Sequence, residues 1–121
     1  MNILQEIQSE LKAPKGQRNN FGNYSYRSAE DILTAVKPLL QKHGAAIILT
    51  DALEALEGRI FVKSTAVLYH DGGEPFTSDG YAEHAATKKG MDQAQITGSA
   101  SSYARKYALN GLLCIDDSLR S

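Results

Sequence analysis

The sequence predicts an α+β fold: an antiparallel sheet of three to four strands, with a β-β-β-α core, packed on helices. Three observations lead there. Apolar residues recur at helical spacing in residues 2–12, 28–44 and 92–111. Strand-like segments at 45–50, 59–70 and 76–85 follow one another with no helix between them, which favours antiparallel neighbours. The resulting order, α, short β, α, β, β, β, α, sets a sheet with helices on one face. A chain of 121 residues is long enough for one domain, 1–121, with a real core.

The first element, "NILQEIQSELK", places Ile3, Leu4, Ile7 and Leu11 on one helical face, and Pro14 ends the pattern. "PKGQRNNFGN" then reads as a loop by composition, and "YSYR" as a short strand. In "SAEDILTAVKPLLQKHG", Ser28 is a good N-cap with Asp31 three residues on, close to a capping box. Ala29, Ile32, Leu33, Val36, Leu39 and Leu40 form its apolar face, and Gly44 terminates it after Lys42 and His43, which suit the dipole. Pro38 predicts a kink or break in mid-pattern.

"AAIILT" reads as a buried strand, and "DALEALEG" as either an acidic loop or strand ends. "RIFVKSTAVLYH" is apolar on both faces: Ile60, Val62, Ala66 and Leu68 on one, Phe61, Val67 and Tyr69 with Lys63 and Thr65 on the other. One side is expected on the helices and part of the other against a neighbour, as a central strand or an interface would require. "HDGGEP" is a hairpin turn. "FTSDGYAEHA" is a third, more polar strand, with Gly80 marking a bulge. "TKKGMD" leads into the last helix, where Asp92 and Gln95 form a cap-like pair and Asn110-Gly111 marks the end.

A net charge of −1 conceals a segregated distribution. Residues 11–29 hold Lys12, Lys15, Arg18 and Arg27 with no acid; residues 51–87 hold seven acids against Arg59 and Lys63; residues 88–115 hold Lys88, Lys89, Arg105 and Lys106 against Asp92. A polyanion responds to that local field rather than to the sum. No apolar run is long enough to cross a bilayer, and "MNILQEIQSE" lacks the marks of a signal peptide. The single Cys114 excludes an internal disulfide or a cysteine zinc cluster and reads as a small core residue in a reducing cytoplasm.

On a helical wheel, Ile96, Ala100, Tyr103, Ala104 and Tyr107 share one face of the last helix, which is read as its core face. Gln95, Ser99, Ser102 and Lys106 lie nearly opposite, and Thr97, Ser101 and Arg105 form a stripe between. Amide, hydroxyls and cations are the groups that position nucleic-acid phosphates. From composition alone a solvated face is an equal alternative, with the small residues serving only to let the helix approach the sheet.

The run "KKGMDQAQITGSASSYARKYALNGLLCIDD", residues 88–117, closely resembles the signature of the ERF (essential recombination function) family of phage single-strand annealing proteins. The upstream "NYSYRSAEDILTAVKPLLQKHG" is similar to that family's first half, so the resemblance covers about residues 20–117. It implies a fold distantly similar to the eukaryotic annealing recombinase of the Rad group, and assembly into rings or helical filaments. It also implies a basic groove for single-stranded DNA, ATP-independent annealing in homologous recombination and repair, and a place in the host bacterial cytoplasm. No cofactor or metal is implied, and the chain carries no GxxxxGK[ST] run.

Carried onto this sequence, the signature makes Arg105 and Lys106, then Lys88 and Lys89, the expected DNA contacts, with Ser99, Ser102 and Gln95 beside them. Residues 15–27 form a second candidate surface, with Lys15, Arg18 and Arg27 for phosphate. There Phe21, Tyr24 and Tyr26 read either as base-stacking groups or as core and interface residues. Arg27 could equally cap or pair with Glu30 or Asp31. Members of the family usually continue past "IDD" into a tail, so this chain reads as a truncated core or a minimal member, and recruitment of a host single-strand binding protein is in doubt.

Two other classes compete. A double-stranded RNA-binding module is also α-β-β-β-α with lysines before its last helix. A ring-forming interaction scaffold would assemble without DNA. A nuclease built on Asp71, Asp79 and Glu83 lacks a recognised ligand spacing, Asp116-Asp117 reads as a solvated terminus more readily than as a metal site, and His43, His70 and His84 are scattered.

Overall fold

Each helix begins at a polar residue that exchanges hydrogen bonds with the third helical position. In the computed structural model, which describes residues 1–19 and 24–115, these helices are α1 (Ile3–Glu10), α2 (Ala29–His43) and α3 (Gln93–Leu113). Asn2 and Gln5, Ser28 and Asp31, and Asp92 and Gln95 form the three reciprocal capping boxes. Each satisfies amide donors that a helix start otherwise leaves open, worth about 1 kcal/mol per cap. Gly44 closes α2 in the left-handed region at φ 66°. The helix runs unbroken through Pro38. Pro38 and Thr34, whose carbonyl loses its partner, are both on the exposed side, where water can replace the missing bond.

Strands β1 (Gln17–Asn19) and β2 (Tyr24–Tyr26) pair antiparallel as a separate small ribbon, so part of the predicted loop at residues 14–23 is strand. Phe21 and the pair Asp116-Asp117 lie outside the described residues, as do the side chains of Tyr24 and Tyr26. The main sheet holds β3 (Ala45–Leu56), β4 (Arg59–His70) and β5 (Phe76–His84), antiparallel in the order β3-β4-β5. The acidic "DALEALEG" belongs to the strand and its turn: β3 pairs with β4 without interruption from Ala45↔His70 to Leu56↔Arg59. Glu57 and Gly58, at φ 52° and 79°, make the two-residue turn with the double left-handed geometry that tight hairpins favour.

The period-2 alternation of β4 divides as read from the sequence. Val62, Ser64, Ala66 and Leu68 are buried toward the helices, while Phe61, Lys63, Thr65 and Val67 are half-buried on the other face and Tyr69 is exposed there. That other face carries a polar lattice: Arg59 to Glu83 at 2.6 Å, Lys63 to Glu54 at 3.8 Å and to Asp79 at 3.9 Å, and the Thr65 hydroxyl to Asp79 at 2.7 Å.

The core lies between the sheet, the C-terminal half of α3 and the first two helices. Ile7, Ile32, Val36, Leu68, Leu109, Leu112 and Leu113 are its large buried side chains. Outside this core, α1 and α2 are clasped by Lys42 to Glu10 at 2.8 Å and by His43, which sits 3.0 Å from Glu10 and 3.5 Å from Glu6. Toward its N-terminus α3 packs Ala100 and Ala104 against Val62 and Ala82, and Thr97 bonds to His84 of β5 at 2.7 Å.

Gly80 is not a bulge; it pairs in regular register with Ser64. Its hydrogen faces the α3 backbone so closely that a Cβ would overlap the Ala108 amide nitrogen and the Ala104 carbonyl oxygen. Small side chains thus let the helix lie against the sheet, the structural alternative that composition left open. The end predicted at Asn110-Gly111 is passed: α3 continues to Leu113, because Leu112 and Leu113 are core residues and Gly111 serves close approach to Ser78. Cys114 is exposed rather than in the core and takes the left-handed cap position at φ 59°.

Candidate nucleic-acid interface

The polar face of α3 is only in part the solvent face that a single-sided wheel assigns: Gln95 and Ser102 are exposed and Ser99 is half-buried. Lys106 is buried to 7 % exposure, whereas Tyr103 and Tyr107, assigned to the core face, are 50 % and 41 % exposed. The reason is that α3 is covered on two sides. The sheet takes Ala100, Ala104 and Ala108, and the start of α2 lies over the flank that carries Ser99, Ser102 and Lys106. The tyrosines are left at the margin, on the side of β5.

Two adjoining hollows result. One, of about 220 Å³, is lined by Arg27, Ser28, Ala29, Ser99, Ser102, Tyr103 and Lys106. The other, of about 360 Å³, is lined by Ala82, Glu83, Ala85, Lys88, Ile96, Ser99, Ala100, Tyr103 and Tyr107. They share Ser99 and Tyr103, so together they form one groove along α3 with Arg27 and Lys106 at one end and Lys88 at the other.

Local structure fixes these side chains. Arg27 Nε donates to the Ala13 carbonyl at 2.9 Å, which anchors the guanidinium at the entry to α2. Ser28 caps α2, so the positive end of that helix dipole opens on the same hollow. The Lys106 ammonium lies 5.9 Å from the centroid of the Tyr103 ring, one helical turn back. Lys88 begins the turn closed by the Met91 amide donating to its carbonyl at 3.1 Å. The acid in the groove, Glu83, is occupied by Arg59, whose Nε and a terminal nitrogen donate to it at 2.9 and 2.6 Å; that contact holds its carboxyl below the usual value.

The structure therefore brings together Arg27, Ser99, Ser102, Lys106 and Lys88 from the sequence-derived set. It does not bring in the others. Lys89 is exposed on the turn beside the groove, and Gln95 accepts the Asp92 amide in its capping box. Lys15 and Arg18 line neither hollow.

Arg105 points to the opposite flank of α3, where its Nε lies 3.2 Å from Asp51 Oδ1 on β3. Ser64 donates to the same carboxylate at 2.6 Å, and Ser101 donates to its second oxygen. Burial favours the neutral acid at Asp51, but the Ser101 and Ser64 hydroxyls and the Arg105 guanidinium outweigh it and hold the carboxyl below its ordinary value.

Sequence reasoning missed Tyr103, Tyr107 and Ser28. For the tyrosines a signal exists, an aromatic pair at i, i+4 flanking the two cations, but it is indistinguishable from a core stripe until the second covered side of the helix is known. Among the described residues no group of three or more His, Cys, Asp or Glu is placed to share a metal ion, and no helix is long and apolar enough to cross a membrane.

A profile of the ERF superfamily matches residues 2–118 of the chain. The curated Essential recombination function protein of Salmonella phage P22 is 51 % identical over 114 residues, covering 94 % of this chain and 54 % of that protein. The chain thus spans about half the length of this curated relative. No solved structure matches it.

Proposed function

Because the chain belongs to the ERF superfamily, we propose that it acts in recombination by binding single-stranded DNA along the α3 groove and promoting ATP-independent annealing of complementary strands. The observation that supports this reading best is the convergence of Arg27, Lys106 and Lys88, drawn from distant parts of the sequence, on one groove with the Ser99 and Ser102 hydroxyls and the α2 N-terminus. Donors of this kind hold phosphates without reading sequence. An annealing protein needs that property, because the bases must stay available to a complement.

Annealing needs no covalent step. The protein has to keep a strand unpaired and extended while it samples partners. Many weak grooves in a ring or filament would hold one strand by avidity. The β3-β4 hairpin end supports self-association as part of the proposal: Leu53 and Ile60 on one face of the hairpin are 67 % and 40 % exposed and Leu56 on the other face is 64 % exposed, apolar surface that a monomer would leave wet.

The test is fluorescence anisotropy with labelled oligo-dT over a salt series. Binding should weaken steeply with salt, and Lys106→Met, which keeps the buried stem but removes the charge, should flatten the log–log slope by about 0.7, one phosphate contact on a single strand. An unchanged affinity and slope in Lys106→Met combined with Arg27→Met would place the DNA elsewhere. Competition by duplex RNA as effective as by single-stranded DNA would favour the RNA-binding alternative instead.

A further inference from the structure

We infer that Tyr103 and Tyr107 are a base-stacking step in the groove, so that this protein grips nucleobases by their faces as well as phosphates by their charge. The inference rests on the groove being a single-strand path. The two rings are both substantially exposed, at 50 % and 41 %, and their centroids are 6.2 Å apart with a 35° tilt, one helical turn apart on α3. Single exposed aromatics are ordinary. A pair on one helix edge, both lining the larger hollow and one shared with the smaller, is not scattered surface.

The chemistry of the surroundings selects the occupant. Lys88 and Ser99 line the same hollow, and Arg27 and Lys106 line its neighbour. An apolar protein segment laid over the tyrosines would set the Lys88 ammonium, in the same hollow, against apolar surface, which is costly. A nucleotide matches both halves: its phosphate meets the cations and its base meets a ring. Alternation of cations with aromatic platforms is what non-specific single-strand binders use. Stacking engages the π-face of a base and leaves its hydrogen-bonding edge open, so the contact is compatible with pairing to an incoming strand.

The experiment compares oligo-dT with an abasic strand of equal length, and follows a 2-aminopurine placed within the dT strand, whose fluorescence falls on stacking. Wild-type protein should bind dT about five- to 150-fold more tightly than the abasic strand for each base stacked, and should quench 2-aminopurine. Tyr103→Leu with Tyr107→Leu should abolish the quench and the preference while still binding both strands through phosphate; Tyr103→Phe with Tyr107→Phe should keep both. Equal affinity of wild type for dT and abasic DNA, or a quench that survives the double leucine variant, overturns the stacking step and leaves the phosphate groove standing. Failure of wild type to bind either strand at low salt overturns the groove itself.

Discussion

Arg105 on α3 and Asp51 on β3 form an ion pair, with the guanidinium Nε 3.2 Å from one carboxylate oxygen and 3.4 Å from the other. It fastens the long helix to a strand at the sheet's edge, next to the stretch where Ala100 and Ala104 bring the helix close to the sheet. The carboxylate side chain is 26 % exposed and the arginine 40 %. A charge-assisted bond is worth about 1.5–3 kcal/mol, and solvent screening at this exposure reduces it to about 1 kcal/mol. Arg105→Ala is therefore expected to lower the free energy of urea unfolding by about 1 kcal/mol and to affect oligo-dT affinity less than Lys106→Met does. A variant with unchanged stability and the larger loss of affinity would return Arg105 to the DNA.

The same carboxylate sets a pH dependence. Asp51 has its pKa lowered in the folded chain from an ordinary 3.8. A depressed carboxylate contributes stability above the unfolded-state value and loses it as pH falls through the folded-state value. Acid should thus begin to destabilise the fold below about pH 4, and Asp51→Asn should show a shallower loss than wild type over that range. Glu10, held low by Lys42 and His43, and Glu83, held low by Arg59, titrate in the same direction and account for an acid limb remaining in the variant. Parallel curves for Asp51→Asn and wild type in urea melts from pH 5 to pH 2 would remove Asp51 from this account.

Gly80 and Gly111 both face α3 contacts, yet their substitution should differ. A Cβ on Gly80 would overlap helix backbone and lie 2.9 Å from the Tyr107 carbonyl carbon, so the helix itself would have to move. A Cβ on Gly111 would meet only the Ser78 hydroxyl, which can rotate away. Gly80→Ala is expected to cost about 3 kcal/mol or more by overpacking. Gly111→Ala should cost under about 1 kcal/mol, because better helix propensity offsets the contact. Chemical denaturation of the two variants side by side checks the contrast.

The hairpin turn offers a gain rather than a loss. Glu57 holds a left-handed conformation at φ 52° that costs a non-glycine residue about 1–2 kcal/mol. Asparagine tolerates it, and Asn-Gly is the preferred pair for this turn. Glu57→Asn should raise the denaturation midpoint by an amount corresponding to about 0.5–1 kcal/mol, with no effect on oligo-dT affinity.

What could be read beforehand followed from local chemistry. Ser28 with Asp31 and Asp92 with Gln95 are visible as caps because partner and acceptor lie three residues apart. The two faces of residues 59–70 are visible because strand alternation is strict. Gly80 reads as a bulge because its role is a tertiary approach by α3, which no local pattern announces. Arg27, Lys88 and Lys106 are legible as cations, but their convergence depends on how α2 lies over α3. Arg105 is legible in the same way, and nothing local indicates that its neighbour is Asp51, 54 residues away. The α+β architecture was legible; the assignment of the flanks of α3 was not, since a wheel assumes one covered side and this helix has two.

Tyr107 and Leu109 test that last point directly, because they sit two positions apart on α3 and the one read as a core residue, Tyr107, is the exposed one. Leu109 is fully buried in the main core, and Leu109→Ala should cost about 2–5 kcal/mol through lost burial and a residual cavity. Tyr107 is 41 % exposed, and Tyr107→Ala should cost under about 1 kcal/mol, since alanine is also the better helix former. Thermal melts should show a clear drop for the first and little change for the second. A Tyr107→Ala variant as unstable as Leu109→Ala would put the ring in the core after all, closing the groove that the stacking and phosphate contacts require.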